Sequence, residues 1–215
     1  MNQSELNTFV NPFSTKFWTP GTIPFQFSEE SKEDDEIKWD INVLIEQKIN
    51  YGSIMQIVGS HGSGKSTLLR TLLQHLEQQH FVIRLEVLND RRHKLLPDFL
   101  PVGHDRKMFY MIDGYEQLSF WERFRLRFQK WDLTGGLLLT THKPVFGIPI
   151  LYRTTPQFEL FIKLVRELTK TYSATYSHSF GTTELYEIYH RAGGNFRTAF
   201  FELYDIVQTA QNRQS

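Results

Sequence analysis

Residues 53–73 read SIMQIVGSHGSGKSTLLRTLL. The run Ile54, Met55, Gln56, Ile57 and Val58 has the length and character of a short buried strand. Leu68, Leu69, Leu72, Leu73 and Leu76 then recur at helical spacing. Between the two, Gly59, Ser60, His61, Gly62, Ser63, Gly64, Lys65 and Ser66 fit the spacing G-x-x-x-x-G-K-[ST] without deviation. The stretch therefore predicts a strand, a glycine loop and a helix in direct succession.

That succession has a specific chemistry. Glycines reach backbone conformations closed to other residues and let the chain approach a ligand closely. Consecutive N–H groups then converge as a nest for phosphate oxygens. The helix that starts near Lys65 adds its positive N-terminal end. Lys65 is expected to bring a mobile charge to the β- and γ-phosphates of a nucleotide, and Ser66 a hydroxyl to Mg²⁺. Thr67, next along, is counted with the phosphate-binding residues.

The rest of the composition permits this and narrows it little. The chain has 215 residues, a formal net charge of zero and no cysteine. Disulfides and thiolate metal sites are thereby excluded, and a cytoplasmic setting is expected. Zero net charge offers no bulk electrostatic argument for nucleic acid or membrane. The opening MNQSELNTFV lacks the basic-then-apolar profile of a secretory signal. No run approaches the roughly 20 apolar residues of a membrane helix.

Three regions are expected. Residues 1–34 are irregular, with the aromatic and proline-rich NPFSTKFWTPGTIPFQF followed by the acidic SEESKEDDE. Residues 35–155 alternate helix and strand. Ile37, Ile41, Leu44, Ile45 and Lys48 mark a helix before the loop. FVIRLEVL (81–88), KMFYMI (107–112), GGLLLTT (135–141) and IPILYR (148–153) read as further strands, and EQLSFWERFRLRFQKW (116–131) as a helix. This alternation predicts a parallel α/β sheet. Residues 156–215 hold no strand signal. Helical stripes appear there at Phe158 to Leu168, Leu185 to Tyr189 and Phe196 to Val207. The fold class expected is an α/β parallel-sheet nucleotide-binding core followed by a small helical lid.

Residues 110–118, YMIDGYEQL, place Asp113 at the end of a buried strand. In proteins with this loop such an aspartate holds Mg²⁺ opposite the loop serine. The next residue, the water-orienting glutamate of many ATPases, is here Gly114. The pattern D-G-x-[DE] resembles NACHT-type members of the STAND class of P-loop NTPases, which makes Glu116 the matching acid. LLLTTHKP (137–144) resembles their strand ending T-S-R-P. By that resemblance Thr141 is a γ-phosphate sensor, while His142 and Lys143 replace the arginine. HRAGGNFRTAFFELYD (190–205) resembles the second sensor of AAA+ proteins of the replication-initiator type, and implies that Arg197 faces the nucleotide. Asn195 also reads as a simple helix cap. Transporter-type ATPases place a histidine after the same strand. Their serine-glycine-glycine signature is absent from this chain.

Two further points bear on function. In this branch the chain before the loop folds over the adenine. Asn11, Pro12, Phe13, Phe17, Phe25 and Phe27 would suit that role, and would equally suit covering a sheet edge. A guanine site would show N-K-x-D after the fourth strand, where the chain reads THKPV (141–145). ATP is therefore the expected nucleotide, with Mg²⁺ as cofactor. The leading expectation is a slow ATPase acting as a nucleotide-controlled switch or helper subunit, with a protein partner or a second copy of itself. Lys65, Asp113 and Glu116 are its catalytic candidates. A nucleic-acid-handling ATPase is the alternative, drawn from Arg123, Arg125, Arg127 and Lys130 beside Trp121 and Phe124. A small-molecule kinase, with Arg91 and Arg92 over the phosphates, is the third.

Overall fold

The computed structural model describes residues 10–27, 40–97, 99, 107–128, 135–171 and 179–213. Ile37, the acidic stretch SEESKEDDE and Lys130 lie outside the described residues. The chain divides into two compact units, residues 24–155 and residues 1–23 with 156–215.

The first unit is a five-stranded parallel sheet. Its strands are β1 (Ile54–Gly59), β2 (Val82–Val87), β3 (Met108–Asp113), β4 (Gly136–Thr141) and β5 (Ile150–Thr154). They lie in the order β2-β3-β4-β1-β5, and every pairing is parallel. The helices are α1 (Ile41–Lys48), α2 (Lys65–Gln78) and α3 (Phe120–Phe128), with a 3₁₀ turn at Tyr115–Gln117.

Period-two alternation explains why the central strands are apolar throughout. Phe109 and Met111 of β3 and Leu138 of β4 pack in one core with Leu44 and Ile45 of α1 and Leu68, Leu69, Leu72 and Leu76 of α2. Tyr110 and Ile112 of β3 and Leu137 and Leu139 of β4 pack in another with Leu126 of α3. Side chains of successive strand residues point to opposite faces. A strand covered on both faces therefore reads as a continuous apolar run.

Gln56 interrupts that run at full burial and is fully engaged. Its amide donates to the carbonyls of Val145 (2.9 Å) and Ile148 (2.6 Å), and its Oε1 accepts from the Val145 N–H at 2.9 Å. One buried side chain thus fixes the turn after β4. The predicted helix over 116–131 is broken instead. A 3₁₀ turn precedes α3, and Ser119 accepts at the start of α3 through its hydroxyl from the Glu122 N–H, 3.3 Å away.

The second unit contains α4 (Phe158–Thr171), α5 (Thr182–Arg191) and α6 (Phe196–Asn212). Their buried stripe includes Phe161, Val165, Leu185, Ile188, Phe200 and Leu203. Phe13, far from them in sequence, is fully buried in the same core. Asn11 anchors that segment, its amide donating to the Tyr204 carbonyl at 3.0 Å. The aromatic N-terminal stretch is thereby divided. Phe13, Phe17 and Trp18 pack with the helices, whereas Phe25 and Phe27 pack against Tyr152 of β5.

Candidate functional site

Parallel pairing brings the C-terminal ends of the strands to one edge of the sheet, where open α/β folds hold ligands. The glycine loop follows β1, Asp113 ends β3, Thr141 ends β4 and Thr154 ends β5. Sequence-distant residues meet there because the strands share that edge.

Gly64 caps α2 in a left-handed conformation, φ 92°, and has no side chain to bond to the helix start. Ser66 and Thr67 occupy the first turn. Backbone N–H groups at such an end remain available to an anion. Lys65 folds back, its Nζ donating to the carbonyls of Gly59 and Ser60, each at 2.7 Å. Burial pulls its ammonium below the ordinary lysine value, while Glu116 and Asp113 pull the other way. The Ser63 hydroxyl donates to the Ser60 carbonyl at 2.8 Å and pairs with Thr154 Oγ1 at 2.6 Å. His61 and Gly62 form the turn between these anchors.

Gly59 allows the close approach of β5. A Cβ there would lie 2.1 Å from Thr154 Oγ1 and 2.5 Å from the Thr154 carbonyl oxygen.

Asp113 is held by β4. Thr140 Oγ1 donates to Asp113 Oδ1 at 2.6 Å and accepts from the Gly114 N–H at 2.8 Å. Thr141 is placed differently from the sequence expectation. It is 2% exposed, and its hydroxyl donates to Gln56 Oε1 at 3.3 Å. Neighbouring strand residues face opposite ways, so only one of the two threonines can meet Asp113. The register Ile112↔Leu139 brings Thr140, not Thr141, level with Asp113.

Gly114 explains the missing acid after Asp113. Its φ is 88°, and a Cβ would sit 2.9 Å from the Leu88 carbonyl oxygen. A left-handed backbone costs a non-glycine residue about 1–2 kcal/mol, and the contact with Leu88 adds to that. Gly114→Glu, which restores the usual ATPase order, is expected to lower the melting temperature without raising phosphate release. A stable, faster variant would show that the backbone here is free to change.

Glu116 meets the site from the 3₁₀ turn. Its Oε1 lies 3.0 Å from His142 Nε2, just past β4. The His61 ring lies against that of His142, with centroids 3.6 Å apart. Burial, then the charges of Lys65 and His61, bring the His142 pKa down to about 4. The ring is therefore neutral at physiological pH, and its contact with Glu116 is a hydrogen bond rather than an ion pair. Burial chiefly raises the Glu116 pKa, with Asp113 adding and Lys65 opposing. Glu116 Oε2 is buried without a hydrogen-bond partner.

The remaining candidates are distributed as follows. Arg197 is exposed in the first turn of α6, in the helical unit. The side chain of Asn195 caps that turn through the N–H groups of Arg197 (3.0 Å) and Thr198 (3.3 Å). On α3, Arg123 donates to the carbonyls of Leu118 (2.7 Å) and Glu116 (3.2 Å), and Arg127 to that of Phe146. Arg125 pairs with Glu122 at 3.3 Å. Arg92 pairs with the buried Glu86 at 2.5 Å. Among the described residues, no helix is long and apolar enough to cross a membrane.

Comparison with known proteins bears on this core. A family model described as ABC transporter matches residues 44–143, a little under half the chain. That span includes the glycine loop, Asp113 and His142. No curated protein matched the sequence. Among solved structures, Cdc6p from Pyrobaculum aerophilum is similar at 13% identity, with a TM-score of 0.59 over 93% of this chain and 66% of its own. A single-site variant of RuvB from Thermotoga maritima gives 14% identity and a TM-score of 0.51, covering 79% of this chain and 59% of its own. The ORC1 protein of Aeropyrum pernix, solved in complex with DNA, gives 12% and 0.51, covering 81% and 58%. This chain thus spans roughly three fifths to two thirds of the length of each. At such identities the likeness is one of fold, and that fold carries an intact phosphate loop facing a strand-end aspartate. The chain shares the fold of these structures and carries a phosphate-loop sequence directly after β1.

Proposed function

We propose that this chain binds Mg·ATP, hydrolyses it slowly and uses the difference between ATP and ADP as a switch. The supporting observation is the burial of Lys65 within the glycine loop, close enough to Asp113 and Glu116 to feel both charges. A cation held there without bulk solvent suits transfer onto phosphate oxygens. Ser66 and Asp113 offer an all-oxygen donor set, which fits Mg²⁺. The ion, when bound, neutralises charge on the β- and γ-phosphate oxygens. Glu116 serves as the base for water, and its position beyond Gly114 accounts for low turnover. Arg197 enters this reading as the γ-phosphate reader by resemblance alone. Arg197→Ala is expected to bring the ATP and ADP affinities together. A protein partner or a second copy of the chain is the expected recipient of the signal, in the cytoplasm.

Glu116→Gln tests the reading directly. ATP binding is expected to persist while turnover falls by about 10²-fold or more, the contribution of a placed general base. A Gln variant as active as the parent would move the base elsewhere. The raised Glu116 pKa adds a pH signature. As pH falls, turnover is expected to disappear while an ordinary glutamate is still ionised.

A second reading rests on α3, where Phe120 and Trp121 are 71% and 76% exposed and touch Phe124. Aromatic faces of this kind stack on single-stranded bases, and the similar ORC1 was solved on DNA. Against it, Arg123 and Arg127 of that helix are tied to backbone carbonyls. Turnover measured with single-stranded DNA, duplex DNA and RNA separates the readings, since only a nucleic-acid-handling ATPase should accelerate. The kinase reading has less support, because Arg92 is paired with Glu86.

A further inference from the structure

We infer that the cavity between α3 and the sheet is a binding site for a small carboxylate with an apolar body, held by Arg127 and Tyr115. The inference goes beyond the nucleotide reading and does not depend on it.

The cavity has a volume of about 360 Å³, and small-molecule sites begin at about 300 Å³. Its walls include Leu126 of α3, Leu137 and Leu139 of β4, and Ile148 of the turn before β5. These residues belong to the core on the sheet face away from α2. The leucines are buried, whereas Arg127 and Gly147 at the rim are exposed. Leucine and isoleucine walls give water no hydrogen-bond partner, so an apolar body is favoured there. One wall is held in place from behind, because Gln56 donates to the carbonyls of Val145 and Ile148. The cavity is therefore formed before any ligand arrives.

Its polar groups are few and lie together. Tyr115 and Arg127 both line it, and the charge of Arg127 acts on the Tyr115 hydroxyl. Burial raises the pKa of that hydroxyl, more than Arg123 and Arg127 lower it. It keeps its proton at neutral pH and is a donor. Among the described residues it makes no hydrogen bond. The Arg127 guanidinium lies across Gly147, where a Cβ would stand 2.7 Å from Nη2. A guanidinium has five N–H donors, and Nη1 of Arg127 uses one on the Phe146 carbonyl. Among the described residues no carboxylate pairs with Arg127, whereas its neighbour Arg125 is paired with Glu122. Arg123, the other cation near Tyr115, is committed to the carbonyls of Leu118 and Glu116. A planar fork matches one carboxylate in bidentate geometry, and the tyrosine hydroxyl adds a further donor. One free cation at the rim and hydrocarbon walls behind it select a monoanion with an apolar remainder, and disfavour a sugar or a polyphosphate.

Methyl NMR of the leucine and isoleucine side chains in the full chain tests this, with hydrocinnamate and octanoate as probes. Saturable shifts are expected at Leu126, Leu137 and Leu139 with a Kd of about 1 mM or tighter. Leu68 and Leu72, on the opposite sheet face, should not move. Hydrocinnamide, the same body without the charge, should bind the parent about tenfold more weakly than the acid. Arg127→Gln should weaken the acid by about tenfold and leave the amide unchanged. Tyr115→Phe should weaken the acid by about threefold. Circular dichroism checks that both variants fold, and the acid–amide comparison needs neither. No saturable shift with either carboxylate would overturn the site. Equal affinity for acid and amide in the parent, or an acid affinity indifferent to Arg127→Gln in a folded variant, would overturn the recognition by charge. Inorganic phosphate should leave the shifts in place. Displacement by phosphate would assign the probe to the glycine loop and overturn the proposal.

Discussion

Lys65→Ala is expected to weaken Mg·ATP binding by about 100-fold or more. Hydrogen bonds to charged groups contribute about 1.5–3 kcal/mol each, and every 1.4 kcal/mol is about tenfold in affinity. Lys65 has three donors to direct at phosphate, so losing two such bonds gives that magnitude. The fold should survive. Lys65 lies at the first turn of α2, and the ammonium it removes is disfavoured by burial. The carbonyls of Gly59 and Ser60, which it now satisfies, would turn to water. Isothermal titration with Mg·ATP, alongside circular dichroism, checks both halves. Affinity within about threefold of the parent, in a folded variant, would remove the glycine loop from the site.

Gly59→Ala should produce the largest loss of stability of any single methyl group in the loop. The added Cβ would overlap Thr154 at both its hydroxyl and its carbonyl oxygen. Overpacking of this kind costs about 1–3 kcal/mol, or about 2–12 °C in melting temperature for a chain of this size. Thr154→Ala removes the hydroxyl and leaves the carbonyl, so the double variant should recover little. A thermal melt within about 1 °C of the parent, or full rescue by Thr154→Ala, would show that β5 does not press on the loop as described.

The contrast between what the sequence revealed and what it hid follows from the physics of each feature. The loop was legible because its chemistry resides in the backbone, and backbone shape is written in glycine spacing. Asp113 was legible because it ends an apolar run. Thr140 was not. Choosing between two adjacent threonines requires the register of β4 against β3, which no local pattern encodes. The strand order β2-β3-β4-β1-β5 was hidden for the same reason. His142 and His61 are far apart in sequence and meet only because β4 lies beside β1. On α3, Arg123 and Arg127 donate to carbonyls of neighbouring turns, contacts that the spacing of the arginines did not reveal. Gly114 is instructive in both ways. Its departure from the usual acid was visible at once, whereas the reason, the Leu88 carbonyl opposite a left-handed turn, needed the fold.

The helical unit is assembled from two distant segments of the chain, with Phe13 buried among residues such as Phe200 and Leu203. That has a consequence during synthesis. Residues 24–155 are contiguous and can complete their sheet while translation continues. Phe13 emerges early and has no core to enter until α6 is made. At about 5–20 residues per second, the interval is roughly 10–40 s. Throughout it the aromatic segment around Phe13, Phe17 and Trp18 is exposed to whatever binds nascent chains. A ribosome that stalls before α6 would leave a finished nucleotide core attached to an unsatisfied hydrophobic segment, and such a product is a natural target for chaperones and proteases.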